Sequence, residues 1–312
     1  MIHPDTVVVP IDHGWANMKT EDDVFTSGVS EITTEPALFN DVLELDNKYY
    51  KIGGKRLEVK EDKVHDDNYY LLSLAATAMV LEKKHLREAH VLWAVGLPLT
   101  RFGEEKDAFI QYLMRNKEVT FKYNKIKYHI MIEKISVYPQ CYAAVSDKLR
   151  FFDNKVLVVD IGSWTVDIMP IINSNPDESI CVTKPAGMIT CYQQINKECV
   201  RQLNAEVDEY DIQKVIMKGG DHLPKSYREI IEKELSSYCG KIFHYIRELG
   251  YNMELTPIIF VGGGASVMKR YSNQQQANIT YIEDICANAK GYSTLASGYL
   301  KVVLDRQAGG DK

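Results

Sequence analysis

Two short segments place an aspartate and a glycine directly after a run of β-branched residues. Residues 6–19 read TVVVPIDHGWANMK, and residues 156–171 read VLVVDIGSWTVDIMPI. A glycine at the end of a strand lets the backbone approach a ligand, and successive N–H groups there can hold an oxyanion. An aspartate beside phosphate requires a cation between them, and Mg²⁺ binds carboxylates and phosphates together. The two segments therefore predict a pair of turns that face one another across a magnesium-bound polyphosphate.

Each Asp-x-Gly turn taken alone also fits ordinary turn chemistry. The functional interpretation is favoured because the same strand–turn–strand unit occurs twice. A third glycine turn, FVGGGAS at 260–266, follows another apolar run and could lie flat against the base and sugar of a nucleotide. Gln140 follows the VYP turn that precedes the second segment. No phosphate-binding loop with a Walker-type lysine is present.

The composition excludes several other classes of protein. The 312 residues are 45% hydrophobic and 26% charged, with a net charge of −6. This balance argues against direct binding of nucleic acid or of an anionic membrane. The sequence predicts no signal peptide and no membrane-spanning segment. Its six cysteines are scattered without metal-ligand spacing, which indicates reduced, mostly buried thiols and a cytoplasmic location.

Strand and helix patterns alternate along the whole chain, which predicts an α/β protein. The pattern over 42–59 predicts a β-hairpin with Gly53 and Gly54 between its strands. Residues 67–86 predict a helix. Residues 89–103 predict a buried strand that ends at Gly96, Leu97 and Pro98, and 104–114 predict a further helix. Residues 140–152 predict a short amphipathic helix. In the second half, the residues after Pro185 and Gly187 predict a helix of about four turns.

The order of these motifs resembles the actin-like ATPase superfamily. The segments that carry the resemblance are IDHGWANMK, VYPQCYAAV, VVDIGSWTVDI, PAGM and IIFVGGGASVM. Within that superfamily the chain looks most like bacterial plasmid-segregation proteins of the ParM type. The resemblance covers nearly the whole chain. It implies a duplicated, ribonuclease H-like two-domain ATPase fold with a central nucleotide cleft. Domain I would be 1–153, with the C-terminal helix 287–312 returning to it, and domain II would be 154–286.

The resemblance also implies which residues contact Mg²⁺ and ATP, with GTP as an alternative nucleotide. Asp12 and Asp160 would hold the metal through water, and Lys19 would reach the phosphates. Asp160 and Gln140 would be the catalytic residues, Gln140 orienting the water and Asp160 helping to polarise it. The remaining nucleotide-contacting residues would be Gly14, Trp15, Asn17, Gly162, Ser163, Trp164, Thr165, Gly187, Lys214, Gly262, Gly263, Gly264 and Ala265.

Three positions depart from the pattern of the plasmid proteins. Those proteins carry glutamate where this chain has Gln140, as actin does. Trp15 and Trp164 stand where small residues are usual, and they either seal the site or pack beneath the loops.

The function that the resemblance implies is a nucleotide-dependent filament that hydrolyses ATP and segregates plasmid DNA. Its partners would be further copies of itself and a DNA-binding adaptor, without direct contact to nucleic acid or membrane. The alternative is a phosphotransferase of the same superfamily that acts on a small metabolite, because fold alone does not decide function. Neither an acidic base for a substrate hydroxyl nor a cleft-enlarging insertion is recognisable, which favours the filament.

Overall fold

The chain divides into two compact units in a computed structural model that describes residues 1–58, 63–151, 155–273 and 276–309. The first unit comprises Met1–Asp147 and Cys286–Lys312, and the second comprises Lys148–Ile285. The domain boundary expected after residue 153 falls outside the described residues and stays a prediction.

Both units combine β-strands with α-helices. The strands are β1 (Val7–His13), β2 (Asn17–Lys19), β3 (Val24–Thr26), β4 (Val29–Ile32), β5 (Val42–Leu45), β6 (Lys48–Ile52), β7 (Glu88–Leu97), β8 (Glu118–Tyr123), β9 (Ile126–Pro139), β10 (Lys155–Ile161), β11 (Val166–Ile172), β12 (Asn175–Pro176), β13 (Val182–Lys184), β14 (Ile258–Val261) and β15 (Ile279–Tyr281). The helices are α1 (Asn68–Lys83), α2 (Leu99–Leu113), α3 (Tyr142–Val145), α4 (Met188–Leu203), α5 (Glu209–Lys218), α6 (Lys225–Glu248), α7 (Ala265–Tyr271) and α8 (Ala287–Gly309).

In the first unit, a nine-stranded sheet runs in the order β3-β2-β1-β7-β9-β8-β5-β6-β4. Strands β1, β7 and β9 are parallel neighbours, so their carboxyl ends reach the same edge of the sheet. Val9 and Ile11 of β1 are fully buried, as is typical of a central parallel strand. Helix α1 is buried along most of its length and packs into the same core. This packing fixes the strand end that carries Asp12.

In the second unit, the sheet runs in the order β12-β11-β10-β14-β15, and β13 also pairs with β11. Strand β10 is antiparallel to β11 and parallel to β14, with Asp160 opposite both Asp167 and Val261. Helices α4 and α6 bury their apolar faces in the core of this unit, which includes Leu157 and Phe260. The aspartate at the end of β10 therefore lies beside the glycine loop that follows β14.

Two predicted elements are wrong in detail. The hairpin of β5 and β6 turns at Asp46 and Asn47, not at Gly53 and Gly54. Both turn residues have positive φ, of 51° and 61°, as a two-residue hairpin loop of the primed type requires. The two glycines follow β6 instead, and residue 59 lies outside the described residues. The helix expected over 140–152 is confined to α3 and a 3₁₀ turn at Leu149–Phe151, with residue 152 also outside the description.

The buried-thiol prediction is confirmed in large part, because none of the six cysteines, all within the described residues, forms a disulfide and five of them are buried. Among the helices of the described residues, none has both the length and the apolar content needed to cross a membrane.

Helix α8 returns to the first unit and packs very closely against it. A Cβ built on Gly291 would lie 2.0 Å from the backbone oxygen of Ala143 in α3. A Cβ built on Gly96 of β7 would lie 1.9 Å from the Tyr292 hydroxyl oxygen. These two glycines allow α8 to reach both the end of β7 and the segment that follows β9.

We expect Gly291→Ala to lower the free energy of unfolding by about 1–3 kcal/mol, because the added methyl group overpacks a backbone contact. Gly298→Ala on the same helix is the matched control, since a Cβ there meets nothing within 4 Å. The control should raise stability by about 0.5–1 kcal/mol through better helix propensity. Urea denaturation measures both changes, and equal effects of the two substitutions would contradict the close packing of α8.

Candidate functional site

Three of the predicted site residues meet at the end of β1. Strands β1 and β2 pair antiparallel, which places Lys19 opposite Asp12. Lys19 Nζ donates to Asp12 Oδ2 at 2.8 Å, and Gln140 Nε2 donates to Asp12 Oδ1 at 3.2 Å. The Asp12 side chain is almost completely buried, with 2% of the residue exposed. Each carboxylate oxygen is therefore held by a different, directed donor.

Electrostatics keep the Asp12 carboxyl ionised. Burial by itself would raise its pKa, but the charge and hydrogen bond of Lys19 outweigh burial, with smaller help from Lys63. The net result is a pKa below the ordinary value for aspartate. A permanently charged carboxylate at this position suits the water-mediated binding of a hard divalent cation.

The turn after Asp12 depends on glycine at Gly14. The Gly14 N–H donates to the Asp12 carbonyl oxygen at 3.0 Å, and Ser27 Oγ donates to the Gly14 carbonyl oxygen at 2.6 Å. A Cβ at Gly14 would lie 2.4 Å from the Asn17 carbonyl oxygen, so a larger residue would open the bend. Glycine at this position is therefore required by the close packing of the turn itself, and the approach of its backbone to a ligand stays a prediction.

Trp15 packs against its own unit. Its ring meets the Tyr69 ring edge-on, with centroids 5.9 Å apart, and the Lys63 ammonium lies 5.6 Å from the indole centroid. Burial lowers the pKa of the Lys63 ammonium to about 8. Trp15 was expected either to seal the site or to pack beneath the loop. The contact with Tyr69 favours packing beneath the loop.

The contact with Asp12 orients the Gln140 side chain. A carboxylate only accepts hydrogen bonds, so the amide must present its NH₂ group to Asp12. The amide oxygen of Gln140 is then directed away from Asp12 and can accept a hydrogen bond from a water. Glutamate at this position would instead bring a second carboxylate against the first.

His13, next to Asp12, is a buried neutral histidine. Ser73 Oγ donates to the Tyr69 carbonyl oxygen at 2.7 Å, so His13 Nε2–H donates to Ser73 Oγ at 2.8 Å. Burial, reinforced by the charge of Lys63, lowers the pKa of His13 to about 3. This histidine links the phosphate turn to α1 and is a structural residue that the sequence did not single out.

In the second unit, the end of β10 meets the loop that follows β14. Asp160 is 8% exposed, and a Cβ on Gly262 would lie 2.2 Å from Asp160 Oδ1. Gly262 has a φ of +81°, and the next turn is closed by the Gly264 N–H donating to the Ile161 carbonyl oxygen at 3.0 Å. The backbone of the triple-glycine loop therefore lies directly against the predicted metal-binding carboxylate.

The turn at 162–165 is fastened to the start of α4. The Gly162 N–H donates to the Thr165 carbonyl oxygen at 2.9 Å, and the Met188 N–H donates to the Gly162 carbonyl oxygen at 3.0 Å. A Cβ on Gly187 would lie 2.5 Å from backbone atoms of Ser163 and Trp164, whereas one on Gly162 would make ordinary contact. Glycine is therefore required at position 187, and this predicted residue lies directly against the turn at 162–165.

One predicted residue of this turn, Thr165, has a structural role in addition. Thr165 Oγ1 donates to Asp167 Oδ2 at 2.9 Å, and Thr183 Oγ1 donates to Asp167 Oδ1 at 2.5 Å. Asp167 lies opposite Asp160 in the sheet and was not predicted as a residue of this turn. The only sequence signal for it was weak: a polar residue within the alternating pattern of β11. Trp164 is partly buried.

The remaining predicted residues lie on the loop after β14 and on α5. Gly263 is open, since a Cβ there would meet nothing within 4 Å, and Ala265 begins α7 with its N–H on the Gly262 carbonyl oxygen at 3.1 Å. Lys214 is half-buried on α5, which contacts α7. Asn17 lies in β2, opposite Thr26 of β3.

The residues present fit a water-mediated metal better than a directly ligated one. Within the described residues, no group of three or more histidine, cysteine, aspartate or glutamate side chains could hold a metal ion. Asp12 remains ionised and each of its oxygens keeps a lone pair beyond the bonds to Lys19 and Gln140. Magnesium keeps most of its own waters, so a single carboxylate such as Asp12 could hold it through water.

The buried His13 predicts a specific loss of stability in acid. Its pKa is about 3 in the folded chain and ordinarily 6.5, so below pH 6.5 the unfolded chain binds a proton that the folded chain does not. The free energy of unfolding should therefore fall by up to about 1.4 kcal/mol per pH unit as pH drops from 6.5. His13→Gln should lose this pH dependence, and the exposed His65→Gln should keep it. Urea denaturation at pH 7.5 and pH 5 measures the change in the free energy of unfolding for both variants. An equal change in His13→Gln and in wild type would refute the burial of a neutral imidazole.

Comparison with known families gives matches in both units. The family described as the N-terminal domain of actin-like proteins matches residues 11–142. The family described as the C-terminal domain of the MreB-like archaeal actin homologue matches residues 158–271. No curated protein is similar enough in sequence to match the chain.

Solved structures with the same fold include archaeal and bacterial proteins. The archaeal actin homologue Ta0583 is 20% identical, with 94% of this chain and 100% of that chain covered at a TM-score of 0.76. A Clostridium botulinum ParM, solved as a 15-stranded filament, is 17% identical, with 94% and 99% covered at 0.74. A Bacillus thuringiensis ParM with ATP is 14% identical, with 93% and 98% covered at 0.70.

The predicted two-domain α/β fold is confirmed by these likenesses. The matched families begin at β1 and β10, the strands that carry Asp12 and Asp160. The chain thus combines an actin-like N-terminal domain at residues 11–142 with a MreB-like C-terminal domain at residues 158–271, and its fold is that of actin-like proteins.

Proposed function

We propose that the chain binds and hydrolyses ATP and that nucleotide controls its assembly into filaments. The observation that carries the proposal is the Asp12 carboxylate, buried, ionised and held between Lys19 and Gln140 at a glycine bend. Structures of similar fold support nucleotide binding, since Ta0583 was solved in complex with ADP and a ParM with ATP.

Phosphate binding would use backbone amides of the glycine turns. At the turn after β1, the residues after Gly14 would supply them, because the Gly14 amide already donates to the Asp12 carbonyl oxygen, and the Lys19 ammonium would add charge. At the turn after β10, Ser163, Trp164 and Thr165 would supply them, because the amides of Gly162 and Met188 already serve the turn itself.

The nucleoside would lie against the loop of Gly262–Ala265, with Gly187 at its border and Lys214 beside the base. Gly263 supports this, because the space above it is open while its neighbours are packed. The contacts proposed here are to phosphate and to a ring system in general, so GTP remains an alternative to ATP.

Hydrolysis would be carried by Asp160 and Gln140. Asp12 and Asp160 would hold magnesium through its waters, and the bound metal would supply positive charge to offset the negative charge that develops during cleavage. The Gln140 amide oxygen would accept a hydrogen bond from water and direct its oxygen toward the terminal phosphorus. An amide is a poor base, so this residue acts by positioning. Asp160 would polarise the same water; the new bond to phosphorus forms as the bond to the ADP oxygen breaks.

Filament formation is supported by filaments of proteins with this fold, including one named Alp12 and the Clostridium botulinum ParM. Head-to-tail stacking of identical subunits is a heterologous contact that does not close. The ATP state would favour assembly, and hydrolysis would weaken the contact. Exposed apolar side chains such as Tyr210 and Met217 of α5, 70% and 68% exposed, are available for subunit contacts.

The cargo we propose is plasmid DNA in the cytoplasm, linked through a DNA-binding adaptor. The net charge of −6 opposes direct binding to a phosphate backbone, so the adaptor would supply the basic surface. The resemblance of the sequence motifs to plasmid-segregation proteins of the ParM type supports this part of the proposal.

Light scattering with ATP and Mg²⁺ should rise above a critical protein concentration and should fall as phosphate is released.

Asp160→Ala should reduce steady-state phosphate release by about 100-fold or more, as loss of a group that acts on the attacking water does. Asp208→Ala, an exposed helix cap on α5 of the same unit, is the matched control and should hydrolyse normally.

Scattering that stays flat at every concentration, together with transfer of phosphate to a small metabolite, would instead establish the phosphotransferase alternative. Unchanged turnover in Asp160→Ala would refute the site assignment.

Gln140→Glu should make hydrolysis depend on pH in a way that wild type does not. The new carboxylate would lie against Asp12, so repulsion raises the pKa of the pair. Below that raised pKa the protonated glutamate can still donate to Asp12, and activity is retained; above it, activity falls. The rate of phosphate release between pH 5.5 and pH 8.5 tests this, and a flat profile for Gln140→Glu would contradict the Gln140–Asp12 contact.

A further inference from the structure

Gln140 is followed by a strained turn. The Tyr142 N–H donates to the Gln140 carbonyl oxygen at 2.7 Å, which closes a three-residue γ-turn around Cys141. Cys141 has φ +63° and ψ −59°, the rare and strained form of this turn. Such conformations persist only where surrounding contacts over-determine them, and they cluster at functional sites.

The contact that holds this turn comes from α8. The Cys141 N–H donates to Asn288 Oδ1 at 3.2 Å, in a buried setting where Cys141 is 1% and Asn288 8% exposed. One turn further along α8, Gly291 lies against Ala143, so the helix cannot slide without losing the contact. A side chain 147 residues away in sequence therefore fixes the backbone next to Gln140.

The other side of Gln140 is fixed by the sheet. Its N–H donates to the Leu97 carbonyl oxygen at 2.9 Å, at the end of β7. Its side chain donates to Asp12. The backbone of Gln140 is thus held on one side by a strand end and on the other by the turn whose Cys141 N–H donates to Asn288.

We propose that Asn288 is a positioning residue for hydrolysis, acting through Cys141 on the orientation of Gln140. The inference rests on the proposed function, because it assigns Gln140 the attacking water. Loss of the Asn288 oxygen frees the turn to relax toward an ordinary backbone conformation. The Gln140 amide then spends less time directed at the water, while the phosphate loops keep their own geometry.

The test compares steady-state ATP hydrolysis, with Mg²⁺, by wild type and three variants. Asn288→Ala should lower kcat by about 10-fold or more with KM for ATP unchanged, as misplacement of a water-orienting group does. Asn288→Asp keeps an acceptor oxygen and should restore most of the rate. Ser297→Ala, at an exposed position of the same helix, is the control and should match wild type.

A double-mutant cycle separates positioning from a general structural role. In a Gln140→Ala background, Asn288→Ala should cause no further loss of kcat, because the residue through which it acts is absent. A loss of the same size in both backgrounds, or a wild-type kcat in Asn288→Ala, would overturn the inference while leaving the proposed function intact. A wild-type protein that does not hydrolyse ATP would refute the proposed function itself.

Hydrogen exchange tests the turn without reference to catalysis. Asn288→Ala should accelerate amide exchange in the peptide that contains Cys141 and Tyr142, and should leave peptides of α4 unchanged. If Asn288→Ala does not fold, Asn288→Ser replaces it, since its shorter hydroxyl cannot reach the Cys141 N–H. Exchange at wild-type rates in the folded variant would overturn the inference.

Discussion

The site in the first unit depends on one buried charge. A carboxylate removed from water is costly unless it is paired and hydrogen-bonded, and Asp12 meets that condition through Lys19 and Gln140. Lys19 is in place because β2 returns antiparallel to β1, and Gln140 because β9 ends at the same sheet edge. The bend between β1 and β2, the parallel register of β1, β7 and β9, and the turn at Cys141 all serve this single arrangement.

The second unit places its corresponding aspartate beside a glycine loop. Asp160 lies against the backbone of Gly262, whose positive φ lets the triple-glycine loop approach it. The adjoining turn at 162–165 is secured by the start of α4 and by the hydrogen bond between Thr165 and Asp167. This end of β10 therefore depends on close backbone packing that only glycine at 187 and 262 permits.

Local sequence patterns predicted the elements that carry the site, because strand burial and turn formation depend on residues that are neighbours in sequence. The apolar runs of β1 and β10, the glycine at Gly14 and the helix after Gly187 are examples. The hairpin turn was misplaced because Asp46 and Asn47 can adopt positive φ as glycine does. What local patterns could not reveal depends on distant packing. Two hydrogen bonds are examples, one between Gln140 and Asp12 and one between Cys141 and Asn288. Each joins residues more than 120 positions apart.

The central claim is that the buried Asp12 carboxylate, held between Lys19 and Gln140, anchors a magnesium nucleotide at the glycine bend of the first unit. An experimental structure of the protein with Mg²⁺ and a non-hydrolysable ATP analogue tests it most directly. The account predicts metal-bound water on Asp12 and phosphate oxygens on the amides that follow Gly14. A nucleotide bound elsewhere, with Asp12 contacting neither metal nor water, would contradict it.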